Sequence, residues 1–346
     1  MRNLRSLLAT LLGATAMCLN FGTAIAACAA NSPFVPVSAN VQARQLGRGM
    51  NVMSVDPYWK DGTQSRFKFQ YFSMLKATGF STVRIPQALY DHRSPSGDLD
   101  QTWISRLDAV TSAATAAGLN VIIDNNSDAT CVKLAAECLS INAALWGQLA
   151  EHYSSAPNSV IFELYNEPNN ALTPDVWNAG IPGLLAAVRR SNPTRNVIIG
   201  PSPSNDLKGL PNLALPASDQ HIIVTIHYYA PFKFTHQGAP FLPEATRPPL
   251  GRAFNPALDA MSIDADFNMI SAWASSHGRP IIIGEFGTYD LANMDDRAAW
   301  TSKVARTAEA HGFSWIYWQF DKSFYAYNID QNAWVEPIIN ALIPEK

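Results

Sequence analysis

Residues 278–287 read Gly278-Arg279-Pro280-Ile281-Ile282-Ile283-Gly284-Glu285-Phe286-Gly287, and they show the phrase from which the chain is built. A glycine closes a helical stretch, because helix ends favour the left-handed backbone that glycine adopts without strain. An almost wholly apolar run follows, as expected of a strand buried on both faces of a parallel sheet. The run then delivers a polar group to a loop. The same phrase recurs along the chain. Its strand-like runs are Gly49 to Val52, Thr82 to Pro86, Asn120 to Asp124, Val160 to Tyr165, Asn196 to Gly200, Ile222 to Tyr228, Pro280 to Gly284 and Ser314 to Trp318. Gly79, Gly118 and Gly312 mark the same boundary as Gly278. Before Gly118, Trp103, Ile104, Leu107 and Val110 follow the i, i+3, i+4, i+7 spacing of an apolar helix face.

Alternating strands and helices imply a parallel sheet, and eight such units imply closure into a (β/α)8 barrel of the TIM type. A doubly wound open sheet would carry a Gly-rich phosphate loop after its first strand, and Asn51-Val52-Met53-Ser54 is not one. Residues 46–346 therefore read as a single α/β barrel, with 28–45 as a short lead-in. The length of 346 residues suits one such domain.

Residues 1–27 read as a secretory signal. Arg2 and Arg5 precede an apolar run from Leu7 to Met17, and Ala24-Ile25-Ala26 supplies a small-x-small cleavage site. The expected localisation is secreted or extracytoplasmic. Ile25-Ala26-Ala27-Cys28 resembles a loose bacterial lipobox, so lipid anchoring at Cys28 and simple cleavage nearby stand as equal alternatives. No later segment approaches the roughly 20 apolar residues of a membrane span. Cys131 and Cys138 flank a short segment and are a candidate disulfide in an oxidising compartment. A net charge of −3 gives no reason to expect nucleic acid as a partner, and 47% hydrophobic with 15% charged residues indicates a packed globular chain, expected to be a monomer.

Chemistry in such barrels sits where the strand C-termini meet the βα loops. Strand two carries Arg84, strand three runs into Asp124-Asn125-Asn126, and strand four leads to Tyr165-Asn166-Glu167-Pro168. Strand six ends His227-Tyr228-Tyr229, strand seven Gly284-Glu285-Phe286-Gly287, and strand eight Trp315-Ile316-Tyr317-Trp318. Strands four and seven face each other across a barrel mouth, so Glu167 and Glu285 are expected to converge there. Glycosidic cleavage requires such a pair, one carboxyl to protonate the departing oxygen and the other to attack the anomeric carbon, ~5 to 5.5 Å apart in retaining enzymes. The plainer alternative makes each glutamate a helix cap or the partner of a surface lysine.

Asn166-Glu167-Pro168, Gly284-Glu285-Phe286-Gly287, Val83-Arg84-Ile85-Pro86 and His227-Tyr228-Tyr229, each on its own strand, together resemble glycoside hydrolase family 5, the cellulase-type barrels. The stretch from His227 to Ala239 is similar to a segment of bacterial endoglucanases in that family. The resemblance implies Glu167 as acid/base and Glu285 as nucleophile. Around them, Arg84 is expected to place positive charge near Glu285, Tyr229 to donate its hydroxyl to Glu285, and His227 to hydrogen-bond Glu167. Asn166 suits the substrate 2-hydroxyl, and Trp318 offers a flat face to the sugar. The negative charge of Glu285 favours the protonated form of Glu167 until the covalent ester forms. One position departs from the family: it usually has histidine after strand three, where this chain has Asn126, an uncharged substrate contact.

Other residues carry plainer expectations. Glu163, four residues before Glu167, lies ~13 Å deeper and reads as a buried, paired structural carboxylate. Asp124 reads first as a structural hydrogen-bonding group. Tyr58, Trp59, Tyr90, Trp177 and Trp334 each read first as packing, with Trp59 the first candidate among them for an outer subsite. His92, His152, His221, His277 and His311 show no metal-type spacing, so neither a metal nor a cofactor is expected. The reading is a retaining endo-β-1,4-glucanase acting on cellulose-type polysaccharide, with mannan, xylan and mixed-linkage glucan as alternative substrates. From another class stands a non-catalytic carbohydrate-binding barrel. An aldolase or metal hydrolase would need a strand-end lysine or a metal cluster.

Overall fold

The computed structural model describes residues 34–126, 131 and 134–345. The expected signal segment 1–27 and Cys28 lie outside the described residues. Eight parallel strands close into a barrel in chain order. They are β1 (Arg48–Asn51), β2 (Thr82–Gln87), β3 (Asn120–Asn125), β4 (Val160–Glu163), β5 (Val197–Ile199), β6 (Ile222–Tyr228), β7 (Ile281–Phe286) and β8 (Ser314–Tyr317). Pairing of Arg48 with Trp315 and Met50 with Tyr317 closes the ring. The helices are α1 (Ala39–Leu46), α2 (Gln70–Thr78), α3 (Gln101–Ala116), α4 (Ala135–His152), α5 (Pro174–Arg189), α6 (Phe232–Thr235), α7 (Leu258–His277), α8 (Met294–Ala310) and α9 (Glu336–Leu342). A two-stranded ribbon, β9 (Tyr327–Asn328) and β10 (Ala333–Trp334), follows the barrel. The (β/α)8 architecture expected from the sequence is the one observed.

Two details differ from expectation. Between β5 and β6 the described chain has a 3-10 helix, Leu207–Asn212, in place of an α-helix. Pro201, Pro203, Pro211 and Pro216 explain this, since each lacks a backbone N–H and clashes with a preceding helical turn. Strand lengths also shift. β2 runs one residue past the expected Pro86, to Gln87, and β7 past Gly284 to Phe286, while pairing on β4 stops at Glu163, short of the expected Tyr165.

Local chemistry sets the helix boundaries. The Asp100 carboxylate accepts from the Thr102 N–H at the start of α3, and Trp103, Ile104, Leu107 and Val110 form its buried face. Gly278 ends α7 in the left-handed conformation, as its place in the repeated phrase implies.

The barrel interior is layered. Ile122, Ile161, Ile198, Ile223, Ile282 and Ile316, one from each of β3 to β8, form an apolar cluster with Ala39, Ala43 and Leu46 of α1. That helix plugs the barrel end opposite the site. Side chains alternate along a strand, so the same face continues two residues later. There the layer turns polar: Asp124 follows Ile122, Glu163 follows Ile161, Thr225 follows Ile223, and Arg84 follows Thr82 on β2. Gly284 follows Ile282, and a Cβ there would collide with the Thr225 hydroxyl and come within 3.2 Å of His227 Nε2.

Candidate active site

The polar layer is organised by Arg84, which is completely buried. Its Nε and Nη2 grip Glu163 at 2.7 and 3.0 Å, the bidentate geometry of a guanidinium fork. Nη1 donates to Asn51 Oδ1 at 3.0 Å and to Glu285 Oε1 at 2.8 Å, and Nη2 also donates to Asn166 Oδ1 at 2.8 Å. Glu163 is therefore buried and paired, as expected, but it is also one guanidinium away from Glu285. Asp124 Oδ2 lies 3.1 Å from Arg84 Nη2, yet both its oxygens lack a hydrogen-bond partner.

Glu285 receives two further groups. The Tyr229 hydroxyl donates to its Oε2 at 2.8 Å, and His227 Nδ1 lies 3.5 Å from the same oxygen. Burial pushes the Glu285 carboxyl above the ordinary carboxylate range, against the pull of His227, Arg84 and Tyr229. Burial, reinforced by Glu285 and Glu167, holds the Tyr229 phenol well above its usual value, so it remains a donor. Burial alone would depress the His227 imidazole, but the Glu285 and Glu167 carboxylates outweigh it and raise the group.

Glu167 approaches from the other side of the mouth. Beyond β4, Leu164 N donates to Ile198 O and Asn166 N to Asn125 O, which keeps the chain along the barrel wall after strand pairing ends. Glu167 then takes a left-handed backbone, φ 47°, a conformation uncommon for a side-chain-bearing residue. That turn aims its carboxyl at His227 Nδ1, 2.7 Å away. The Glu167 side chain is 31% exposed and that of Glu285 is 7%, so Glu167 meets solvent while Glu285 forms the floor.

Asn126, Asn166, Glu167, Tyr229, Glu285 and Trp318 all line one cavity of about 300 Å³. Gly287 lets the strand-eight end come close, because a Cβ there would strike the Trp318 carbonyl. Arg84 and His227 stand behind this surface and hold its two glutamates. A larger cavity of about 430 Å³ lies at the opposite barrel end, where Asn40, Arg44, Arg279 and His311 bring no carboxylate.

Several residues here were not singled out from sequence. Asn51 ties Arg84 to the carbonyls of Gly284 and Tyr317. Asn205 Nδ2 lies 3.3 Å from His227 Nε2. His236, Phe241, Gln319, Ser323 and Phe324 complete the cavity wall. Asn51 ends strand one, so the rule that found the others applied to it too. Asn205 sits in the irregular β5–β6 segment, where no pattern points to it. Burial pushes His236 down to about 4, which leaves it neutral at ordinary pH.

Trp59 does not line this cavity. It is buried, and its indole N–H donates to Met53 O. Trp177 is likewise packing, with its N–H on Gly200 O. Cys131 and Cys138 are joined, their Cα atoms 4.9 Å apart. Asn142 Nδ2 contacts both sulfurs, and its Oδ1 accepts from Asn125 Nδ2 at 2.8 Å, beside Asn126. Glu167, His227 and Glu285 also bring three metal-type ligand atoms within 4.8 Å of one another, a grouping invisible to sequence spacing. His227 already bonds Glu167, and Arg84 and Tyr229 bond Glu285. Among the described residues no helix is long and apolar enough to cross a membrane.

The profile of the family "Cellulase (glycosyl hydrolase family 5)" matches residues 42–323. Endoglucanase H of Acetivibrio thermocellus is 26% identical over 309 residues, covering 86% of this chain and 33% of that protein. The chain thus spans about a third of the length of the first curated relatives it matches. The crystal structure of endoglucanase Cel5A from Thermotoga maritima superposes with a TM-score of 0.84 at 34% identity, covering 89% of this chain and all of that one. The same protein in complex with mannotriose matches with a TM-score of 0.84 at 33% identity.

Proposed function

This chain belongs to the cellulase family, glycosyl hydrolase family 5, and on that premise we propose that it is a retaining endo-β-1,4-glucanase with Glu285 as nucleophile and Glu167 as acid/base. One observation carries the mechanism: carboxylate oxygens of Glu167 and Glu285 approach within 4.8 Å. That spacing supports double displacement, because inversion needs roughly 6.5–9.5 Å to admit a water between the two groups.

Glu285 attacks the anomeric carbon while Glu167 gives its proton to the departing glycosidic oxygen, leaving a glycosyl ester on Glu285. Glu167, now a base, takes a proton from water as that water displaces Glu285 and frees the sugar with its original configuration. Arg84 and Tyr229 orient Glu285 for attack and take back its developing charge when the ester breaks. His227 spans both carboxyls and follows the proton inventory of the pair. Asn166 and Asn126 face the sugar hydroxyls, and Trp318 supplies the apolar face.

The endoglucanase relatives, and a hyperthermophilic endo-β-1,4-glucanase structure 32% identical with a TM-score of 0.84, support β-1,4-glucan as substrate, while the mannotriose complex of the Thermotoga maritima protein keeps mannan as a second reading. Assays on soluble cellulose, mannan, xylan and mixed-linkage glucan, each with a Glu285→Ala control, test the proposal. Reducing ends from cellulose that vanish in the control support it. Release from mannan alone overturns the substrate, and binding without turnover in the native protein overturns the enzyme reading. Export through residues 1–27 and the fate of Cys28 belong to the same proposal. Mass spectrometry of the mature N-terminus tests them.

A further inference from the structure

We propose that Asp124 is a neutral carboxylic acid in the working protein, a positioning residue that leaves the charge of Arg84 to Glu163 and Glu285 because the guanidinium has no N–H to give it. A guanidinium carries five N–H donors. In Arg84 all five have acceptors: Nε on Glu163, Nη1 on Asn51 and Glu285, and Nη2 on Glu163 and Asn166. Asp124 Oδ2 sits 3.1 Å from Nη2 without receiving one of them. Both Asp124 oxygens are buried and without a hydrogen-bond partner, and the side chain has no exposure. An ionised carboxylate in that position would be buried beside a cation but with no N–H to accept from, and burying a charge without hydrogen bonds is costly. A proton removes most of that cost.

The surroundings point the same way. The titratable groups facing Asp124 are Arg84 from β2, Glu163 from β4, Glu285 from β7 and Glu167 beyond β4, three carboxyls against one cation. Glu163 is its direct register partner across the β3–β4 ladder. His227 of β6 and Tyr229, the residue just past its end, face Glu285. Burial, and the carboxylates around it, raise Asp124 well above the ordinary range despite Arg84.

The catalytic consequence rests on Glu285 being the nucleophile. With Asp124 neutral, one guanidinium serves two carboxylates, and Glu285 keeps enough of the positive charge to ionise. A third negative charge on the same guanidinium would favour the protonated, unreactive form of Glu285.

Two measurements test this, and the first does not depend on catalysis. With the aspartate carboxyl carbons of the native protein labelled with 13C, one resonance at neutral pH is expected at the position of a protonated acid, absent from Asp124→Asn and retained in Glu285→Gln. If every aspartate carboxyl in the native protein is ionised, the proposal is overturned. The second is the acid limb of kcat/KM. Glu163→Gln removes the carboxyl that Arg84 grips through two N–H groups, frees the guanidinium for Glu285, and moves that limb about one unit to lower pH. Asp124→Asn, which mimics the neutral acid, leaves it where it was. An equal displacement in both variants means that Asp124 was an ionised counter-charge, and overturns the proposal. If Glu285→Ala retains turnover, the nucleophile assignment fails instead, whatever the carbon resonances show.

Discussion

A register shift between Ile226 and His227 sets His227 opposite Glu285, where an unshifted ladder would pair it with Gly284. Bulges of this kind re-aim side chains, and they concentrate at active sites. Here the shift lets one imidazole sit 2.7 Å from Glu167 and 3.5 Å from Glu285. Two carboxyls from opposite walls of a barrel are thereby linked through a single ring.

Tyr229→Phe removes one hydroxyl and nothing else from the Glu285 environment. A hydrogen bond to a charged group contributes about 1.5–3 kcal/mol. A loss of roughly 10- to 100-fold in kcat/KM is therefore expected, with the folded structure intact by circular dichroism.

The pH dependence of activity has a definite sign. Burial raises Glu285 above the ordinary carboxylate range, and a nucleophile must be ionised. Activity is therefore lost on acidification at a pH above the ordinary glutamate value of about 4.3. The acid limb of kcat/KM measures this directly.

The sequence carried the barrel because each unit states its own boundary, as Gly278 does before Ile281, and because a strand's last residues face the rim. That logic brought Arg84, Glu167, Glu285, His227, Tyr229 and Trp318 to one place. It could not show how Arg84 divides its five donors, since that depends on side chains from β1, β2, β4 and β7 meeting in the interior. The left-handed turn at Glu167 had no signal either, because glycine does not mark it. Trp59 took the packing role that an aromatic near a loop fills as readily as a subsite, its N–H on Met53 O.

Loss of the Cys131–Cys138 bridge should destabilise the fold moderately. The bridged residues are seven apart in sequence, and a loop that short corresponds to about 2–3 kcal/mol of lost chain entropy. Denaturation of Cys131→Ser/Cys138→Ser in urea checks this against the oxidised protein. The effect should match that of reducing the native protein.

Asp219 gives a pH signature away from the site. Burial pushes its carboxyl up, but hydrogen bonds from Arg189 and the His221 N–H outweigh that and hold it below the ordinary value. A depressed carboxyl contributes stability above its unfolded value, and that contribution is lost as pH falls through the folded one. Asp219→Asn should therefore cost about 1–3 kcal/mol at neutral pH. The gap to the native protein should close below about pH 4, as read from unfolding curves at both pH values.

The central claim is that Glu285 forms a covalent bond to the sugar. A 2-deoxy-2-fluoro cellobioside with a good leaving group slows breakdown of such an intermediate, and peptide mass spectrometry locates the adduct. The glycosyl mass should appear on the peptide containing Glu285, with activity lost in step. A label on Glu167, or steady turnover with no label anywhere, would contradict it.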